Sequence, residues 1–250
     1  MNLAELVAYL DGYLRVAAVP DAPEALNGLQ VENSGTVTRI AAAVDLCEAT
    51  VRMAVERQAD LMLVHHGLFW GGLRPLAGPA YRRMAGLFQH NIALYSAHLP
   101  LDLHPDVGNN AVLARQLGVT LRGQFGEEYG VCIGVWGELD VPRAALERQL
   151  AAVLGATARV LAFGPERIGR VGIVTGGAGS MIVQAAAARL DTYVTGEGAH
   201  HTFFDAEELK LNVFYAGHYA TETVGVKALA AHLEAKFGLP WVFLDHPTGL

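Results

Sequence analysis

The feature that most limits the fold of this chain is a repeated alternation of short apolar segments with amphipathic ones. The apolar segments predict buried strands at residues 40–46, 61–66, 92–98, 129–139, 171–175, 192–197, 213–218 and 241–244. Helical spacing predicts helices at residues 2–14, 48–58, 79–89, 108–117, 142–154, 180–189, 202–210 and 223–237. Strands that alternate with helices indicate an α/β fold with parallel sheets covered on both faces.

The two halves of the chain repeat one order of elements. In the first half the polar residues at the strand ends are His65, His66, His98 and Asp102, and in the second half they are Glu197, His200, His201, His218 and Glu222. This similarity of pattern predicts an internal duplication. We therefore expect a three-layer α/β sandwich with two related lobes, residues 1–125 and 126–250, that form one compact unit.

Composition and charge narrow the class of protein. Of the 250 residues, 52% are hydrophobic and 17% are charged, which is typical of a globular chain. The net charge of −7 comes without any Lys/Arg run, so we expect no nucleic-acid partner. Cys47 and Cys132 form no Cys-x-x-Cys pair, which argues against a thiolate zinc site or a disulfide framework. No signal peptide or membrane segment is evident, so we expect a cytoplasmic protein with no membrane partner.

The histidines at the strand ends suggest a metal centre. Ligands of open α/β sheets bind outside the carboxyl ends of the strands, where residues from different strands converge. Neutral imidazole is the commonest metal ligand in proteins, and imidazole with carboxylate suits Zn, Fe, Ni, Co or Mn. His65 and His66 should project in opposite directions on a regular strand, which favours two ions over one. Two metals can lower the pKa of a shared water, which is the chemistry that metal-dependent hydrolases use.

Each candidate residue also has a simpler interpretation. Glu222 could favour the positive end of a nearby helix, and Asp102 could be a turn or capping residue. His98 could orient a neighbour instead of binding metal. Glu197 and His201 could be ligands, proton-transfer groups or wall residues.

A glycine-rich turn at residues 175–180 offers a second candidate site. Its sequence is Thr-Gly-Gly-Ala-Gly-Ser, between a predicted strand and a predicted helix. The turn could hold a phosphate on its backbone N–H groups, or it could let the helix pack closely on the sheet. It lacks the Lys of a P-loop and the spacing of the dinucleotide-binding motif.

Several motifs together resemble one family over nearly the whole chain. They are Val64-His-His-Gly-Leu-Phe-Trp70, Ser96-Ala-His-Leu-Pro-Leu-Asp102, His104-Pro-Asp-Val-Gly-Asn-Asn110, Asn27-Gly-Leu-Gln30, Tyr193-Val-Thr-Gly-Glu197 and Ala216-Gly-His-Tyr-Ala-Thr-Glu222. The chain resembles the YbgI-like dinuclear-metal proteins, often named GTP cyclohydrolase I type 2. Residues 198–201 match this pattern less well than the other motifs.

The resemblance implies a ring-shaped homohexamer with two divalent metal ions per subunit. The implied ligands are His65, His66, Asp102, His218 and Glu222, with one carboxylate bridging and His98 beside the site. The first functional hypothesis is a metal-dependent hydrolase of a nucleotide or another small substrate, in which Glu197 or His98 transfers protons. The alternatives are a metal-handling chaperone or insertase, and a hexameric scaffold whose metal holds the fold.

Overall fold

The computed structural model describes residues 1–72 and 74–250, which pack as two compact units. Unit 1 contains residues 1–107 and 225–246, and unit 2 contains residues 108–224 and 247–250. The lobe boundary at residue 125 and the internal duplication stay predictions.

The order of elements confirms the α/β class. In the described residues the α-helices are α1 (Leu3–Tyr13), α2 (Glu48–Glu56), α3 (Pro79–Gln89), α4 (Leu99–Asp102), α5 (Asn109–Gln116), α6 (Arg143–Leu154), α7 (Ile182–Ala187), α8 (Thr202–Glu208) and α9 (His218–Phe237). The strands are β1 (Gly28–Val31), β2 (Ile40–Asp45), β3 (Leu61–His66), β4 (Ala93–Ser96), β5 (Thr120–Glu128), β6 (Val131–Pro142), β7 (Arg159–Ala162), β8 (Arg167–Ile173), β9 (Thr192–Thr195), β10 (Asn212–Tyr215) and β11 (Trp241–Phe243).

Unit 1 is built on a five-stranded sheet in the order β1-β4-β3-β2-β11. Neighbours from β4 to β11 run parallel, and β1 pairs with β4 in the antiparallel direction. One apolar core joins side chains of the sheet to α2 and α3, and includes Ala41, Val51, Met62, Leu87 and Leu94. Because side chains alternate along a strand, Met62 and Val64 of β3 enter this core while His66 continues the same row to the strand end.

Unit 2 is built on a six-stranded sheet in the order β5-β6-β8-β9-β10-β7. Its strands β8, β9 and β10 are parallel, whereas β5, β6 and β7 pair in the antiparallel direction. The expectation of parallel sheets therefore holds for four neighbouring strands of the first sheet, β4, β3, β2 and β11, and for the three middle strands of the second. Strand β5 was not predicted from the sequence. Most of its residues are exposed, so it lacks a regular spacing of apolar residues.

Three of the proposed ligands lie in helices and not at strand ends. Strand β3 ends at His66 as predicted, but His218 and Glu222 lie in the first turns of α9, which begins five residues earlier than expected. Asp102 is the last residue of the short helix α4. A helix places residues i and i+4 on one face, so the side chains of His218 and Glu222 are neighbours. Among the described residues, no helix has the length and apolar character needed to cross a bilayer.

Candidate metal centre

In unit 1 the rings of His65 and His66 come together at the end of β3. Their centroids are 4.7 Å apart, although alternation along a strand predicted opposite directions. His65 Nδ1 bonds to the carbonyl of Ala97 at 2.8 Å, and His66 Nδ1 bonds to Asp45 Oδ1 at 2.8 Å. Each ring thus leans towards a different neighbouring strand, yet both remain at the same sheet edge. His65 is fully buried, and its Nε2 lies 3.5 Å from Asp102 Oδ2.

His98 belongs to the same group of side chains. Potential ligand atoms of His65, His66 and His98 all lie within 4.8 Å of one another. Trp70 packs beside them, with its ring centroid 4.5 Å from that of His98 and 5.2 Å from that of His66. Trp70 is 43% exposed, so part of this residue is open to solvent beside the imidazole group.

In unit 2 the imidazole of His218 lies between two carboxylates. Its Nδ1 is 2.8 Å from Glu197 Oε1, and its Nε2 is 3.2 Å from Glu222 Oε1. The Glu222 side chain is only 4% exposed, whereas those of His218 and Glu197 are 31% and 49% exposed. Sequence reasoning gave Glu197 a proton-transfer role, which stays a prediction, and the structure adds an orienting contact with His218.

The four histidines share one hydrogen-bonding arrangement. In each ring Nδ1 faces an oxygen acceptor: a carbonyl for His65, and the carboxylates of Asp45, Asp21 and Glu197 for His66, His98 and His218. An acceptor at Nδ1 favours the tautomer in which Nδ1 carries the proton and Nε2 offers its lone pair. Histidines that bind metal ions in proteins are usually held in this way.

The spacing of the donor atoms fits divalent metal ions. Two ligands about 2.1 Å from one ion are ~3.0–3.4 Å apart in octahedral or tetrahedral geometry. The separations of 3.5 Å for His65 and Asp102 and 3.2 Å for His218 and Glu222 are close to these values. The donor set of imidazoles and carboxylates is the one predicted from the sequence, and it suits borderline divalent cations.

Electrostatics in unit 2 favour a cation. The hydrogen bond to Glu222 is the main cause that raises the pKa of His218 to about 9, and Glu197 adds to it against the opposing effect of burial. The metal-free imidazole is therefore protonated at neutral pH and donates to both carboxylates. A divalent cation bound at this position would replace the proton on Nε2.

The glycine-rich turn packs against this group. A Cβ at Gly176 would lie 2.2 Å from Glu222 Oε1, and one at Gly177 would lie 3.4 Å from His218 Cε1. Gly176 also has a φ of +72°, which favours glycine. These contacts are with side chains of the proposed site, and both interpretations of residues 175–180 stay predictions.

Two further predicted site residues, His200 and His201, are not among the histidines grouped above. His200 and His201 are exposed, and the ring of His200 stacks edge-on against Phe204 at 5.6 Å. Asp21 and Asp45, which hold His98 and His66, were missed by the sequence analysis. Asp45 ends strand β2, so the rule that drew attention to the other strand ends would have found it. Asp21 lies in an irregular segment, where no pattern marks it.

The fold and this group of side chains define an α/β protein whose imidazoles and carboxylates could bind a metal ion. A family model described as Duf34/NIF3 (NGG1p interacting factor 3) matches residues 1–248, and the chain belongs to this family. The resemblance to YbgI-like proteins is thereby confirmed. A Deinococcus radiodurans protein named GTP cyclohydrolase 1 type 2 homolog is 47% identical, with 98% of this chain and 94% of that protein covered.

Solved structures agree over the full length. One titled "protein ybgI, unknown function" superposes with a TM-score of 0.93 and 38% identity, covering 100% of both chains. The structure of TTHA1606 from Thermus thermophilus has a TM-score of 0.91 and 48% identity, again over 100% of both chains.

We expect the metal affinity of the His218 and Glu222 group to rise with pH and then level off near pH 9. His218 Nε2 must lose its proton before it binds a cation, so the gain is up to ~tenfold per pH unit between neutral pH and the pKa of about 9. In the metal-free protein the same raised pKa stabilises the fold below about pH 6.5, and this contribution is lost as the pH rises through about 9.

Competition titration against a chromophoric chelator, corrected for the chelator's own protonation, measures this dependence. The matched control is Glu208→Gln, which removes an exposed carboxylate from α8 and should leave the curve unchanged. A constant affinity from about pH 7 to about pH 9 would contradict the assignment of His218 as a ligand.

Proposed function

We propose that this protein is a metal-dependent hydrolase that acts on a nucleotide or another small substrate. One observation carries the proposal: four histidines are held at Nδ1 by oxygen acceptors, and two of them place Nε2 within 3.5 Å of a carboxylate. Sets of imidazoles and carboxylates typically leave coordination positions open for water or substrate. The names of the relatives, which refer to a GTP cyclohydrolase, support the same class of reaction.

Each unit has its own set of proposed ligands. In unit 1 these are His65, His66 and Asp102, and in unit 2 they are His218 and Glu222. We propose two divalent ions per subunit and, from the family resemblance, a homohexameric assembly. Bound divalent cations would supply activation of water and stabilisation of the negative charge that develops during hydrolysis.

The remaining side chains have roles of their own. Asp45 orients His66, and Glu197 orients His218 through Nδ1. His98 can accept a proton at Nε2, because Asp21 already holds its Nδ1. Glu197 is 49% exposed, so its carboxylate can also exchange protons with solvent.

The position of Trp70 favours a substrate with a planar ring. The indole of this partly exposed residue lies directly beside His66 and His98. Stacking of a nucleobase on an aromatic side chain contributes ~1–3 kcal/mol to binding. This supports a nucleotide among the small substrates that the site could take.

The test is turnover by purified, metal-replete protein across nucleotides, phosphodiesters and peptides. We expect hydrolysis of at least one class, its loss on chelation, and its return when a divalent metal is added back. Circular dichroism of the chelated protein should still show the folded state, which separates catalysis from a structural role of the metal.

Two other outcomes would overturn the proposal. Transfer of the metal to an acceptor protein without any turnover would favour the metal-handling function. Unfolding on chelation, also without turnover, would favour the scaffold.

A further inference from the structure

The motif Asn27-Gly-Leu-Gln30 has no role in the function proposed above. It overlaps the start of β1 (Gly28–Val31), and we call residues 21–30, which include this motif, the anchor segment. Its side chains Asp21, Asn27 and Gln30 each bond to the loops that follow β3 and β4, which are the loops that carry or flank the imidazole group. The segment contacts the site without contributing a ligand to it.

Asp21 accepts four hydrogen bonds in a nearly closed environment, with its side chain only 5% exposed. Its Oδ1 accepts from His98 Nδ1 at 2.8 Å and from Ala22 N at 2.7 Å. Its Oδ2 accepts from Leu99 N at 2.9 Å and from Asn27 Nδ2 at 2.8 Å. Burial alone would raise the pKa of Asp21, but the hydrogen bonds and the charge of His98 lower it below its usual value. Both oxygens therefore act as acceptors.

Asn27 and Gln30 hold the backbone of the same two loops. Asn27 Oδ1 accepts from the backbone N–H of His98 at 2.7 Å, so His98 is held at its ring and at its main chain. Gln30 Oε1 accepts from Leu68 N at 2.7 Å, and its Nε2 donates to two carbonyls of the anchor segment. A Cβ at Gly67 would lie 2.4 Å from Gln30 Oε1, so glycine is needed for this close approach.

We propose that Asp21 is a positioning residue that keeps His98 in the Nδ1–H tautomer, with Nε2 as the acceptor beside His65 and His66. Asn27 and Gln30 complete the anchor by holding the backbone on either side of the imidazole group. The consequence for metal affinity rests on the function proposed above, whereas the tautomer can be measured in metal-free protein. The two proposals can therefore fail separately.

The substitution Asp21→Asn is a direct test, because the amide has one acceptor where the carboxylate has two. If the Asn oxygen keeps the bonds from Leu99 N and Asn27 Nδ2, its NH₂ group faces His98 Nδ1. His98 Nδ1 must then accept, and the proton moves to Nε2. In Ser-His-Asp triads the same change selects the wrong tautomer with little change in geometry.

Long-range proton–nitrogen spectra of the metal-free protein at about pH 8 report the tautomer directly. Comparison with His98→Gln assigns the signal. We expect Nδ1–H in the wild type, Nε2–H in Asp21→Asn, and a loss of about 10- to 100-fold in divalent-metal affinity in that variant. Asn27→Ala should retain the wild-type tautomer and broaden the His98 signal, since the ring contact remains and the backbone contact is lost.

The matched control is Asp60→Asn. Asp60 also accepts bonds from the backbone, at Thr38 N and Arg39 N, but it precedes β3 and so lies at the other end of that strand. We expect the Asp60→Asn variant to lose stability while keeping the tautomer of His98 and the metal affinity.

An Nε2–H tautomer in the wild type, or an unchanged tautomer in a folded Asp21→Asn protein, would overturn the proposal. If Asp21→Asn does not fold, the proposal is still tested by the tautomer of His98 in the wild type and by the His98 signal in Asn27→Ala. A switched tautomer in a protein that binds no metal would support the anchor and refute the metal centre.

Discussion

Glu222→Gln is expected to lower the divalent-metal affinity by at least ~100-fold and to abolish metal-dependent hydrolysis. Glu222 is buried and lies 3.2 Å from His218 Nε2, at the spacing of two ligands on one ion. The amide has nearly the same shape but no charge, so packing is retained while a negatively charged ligand is lost. Metal content after exhaustive dialysis and a competition titration measure the effect.

The same variant has a second readout that does not depend on metal. Because the bond to Glu222 is the main cause of the high pKa of His218, that pKa should fall from about 9 towards the ordinary value of about 6.5. An NMR titration of the metal-free protein follows it. Glu208→Gln is again the control for loss of one carboxylate from unit 2. Retention of both metal and the high pKa would show that Glu222 is not part of the centre.

Gly176→Ala is expected to disturb the same carboxylate from the opposite side. The new Cβ would lie 2.2 Å from Glu222 Oε1, and the carboxylate has little room to move because it is buried and bonded to His218. The backbone of Gly176 is held as well, since its N–H donates to Thr221 Oγ1 and its carbonyl accepts from Gly196 N and Glu197 N. We expect a loss of ~tenfold or more in metal affinity, together with ~1–2 kcal/mol of stability.

Gly155→Ala separates the two contributions. Gly155 has a φ of +71°, almost equal to that of Gly176, but a Cβ there would meet no atom within 4 Å. Both variants should lose stability in thermal unfolding because both place alanine in the left-handed region, and Gly176→Ala should lose more because its Cβ also meets Glu222. Only Gly176→Ala should lose metal affinity and lower the pKa of His218. Equal metal affinities in the two variants would show that the glycine turn does not shape the site.

The sequence determined the class of fold and the positions of most of the buried elements. Apolar segments with the right period are buried wherever they occur, so β3 (Leu61–His66) and α3 (Pro79–Gln89) fall within the predicted bounds. Edge strands such as β5 and β1 carry no such signal, since their pairing depends on partners far along the chain and not on local burial.

The sequence also named the side chains with metal-binding chemistry, because residue type and strand position suffice for that. Tertiary structure alone decided how those groups are arranged. The convergence of the His65 and His66 rings follows from acceptors on two different neighbours, Ala97 and Asp45. Asp21 reaches His98 across 77 positions of sequence, a distance at which no local pattern can indicate a contact. The types of side chain at the site can be identified from the sequence alone. Their tautomers, orientations and spacing depend on contacts that only the folded chain creates.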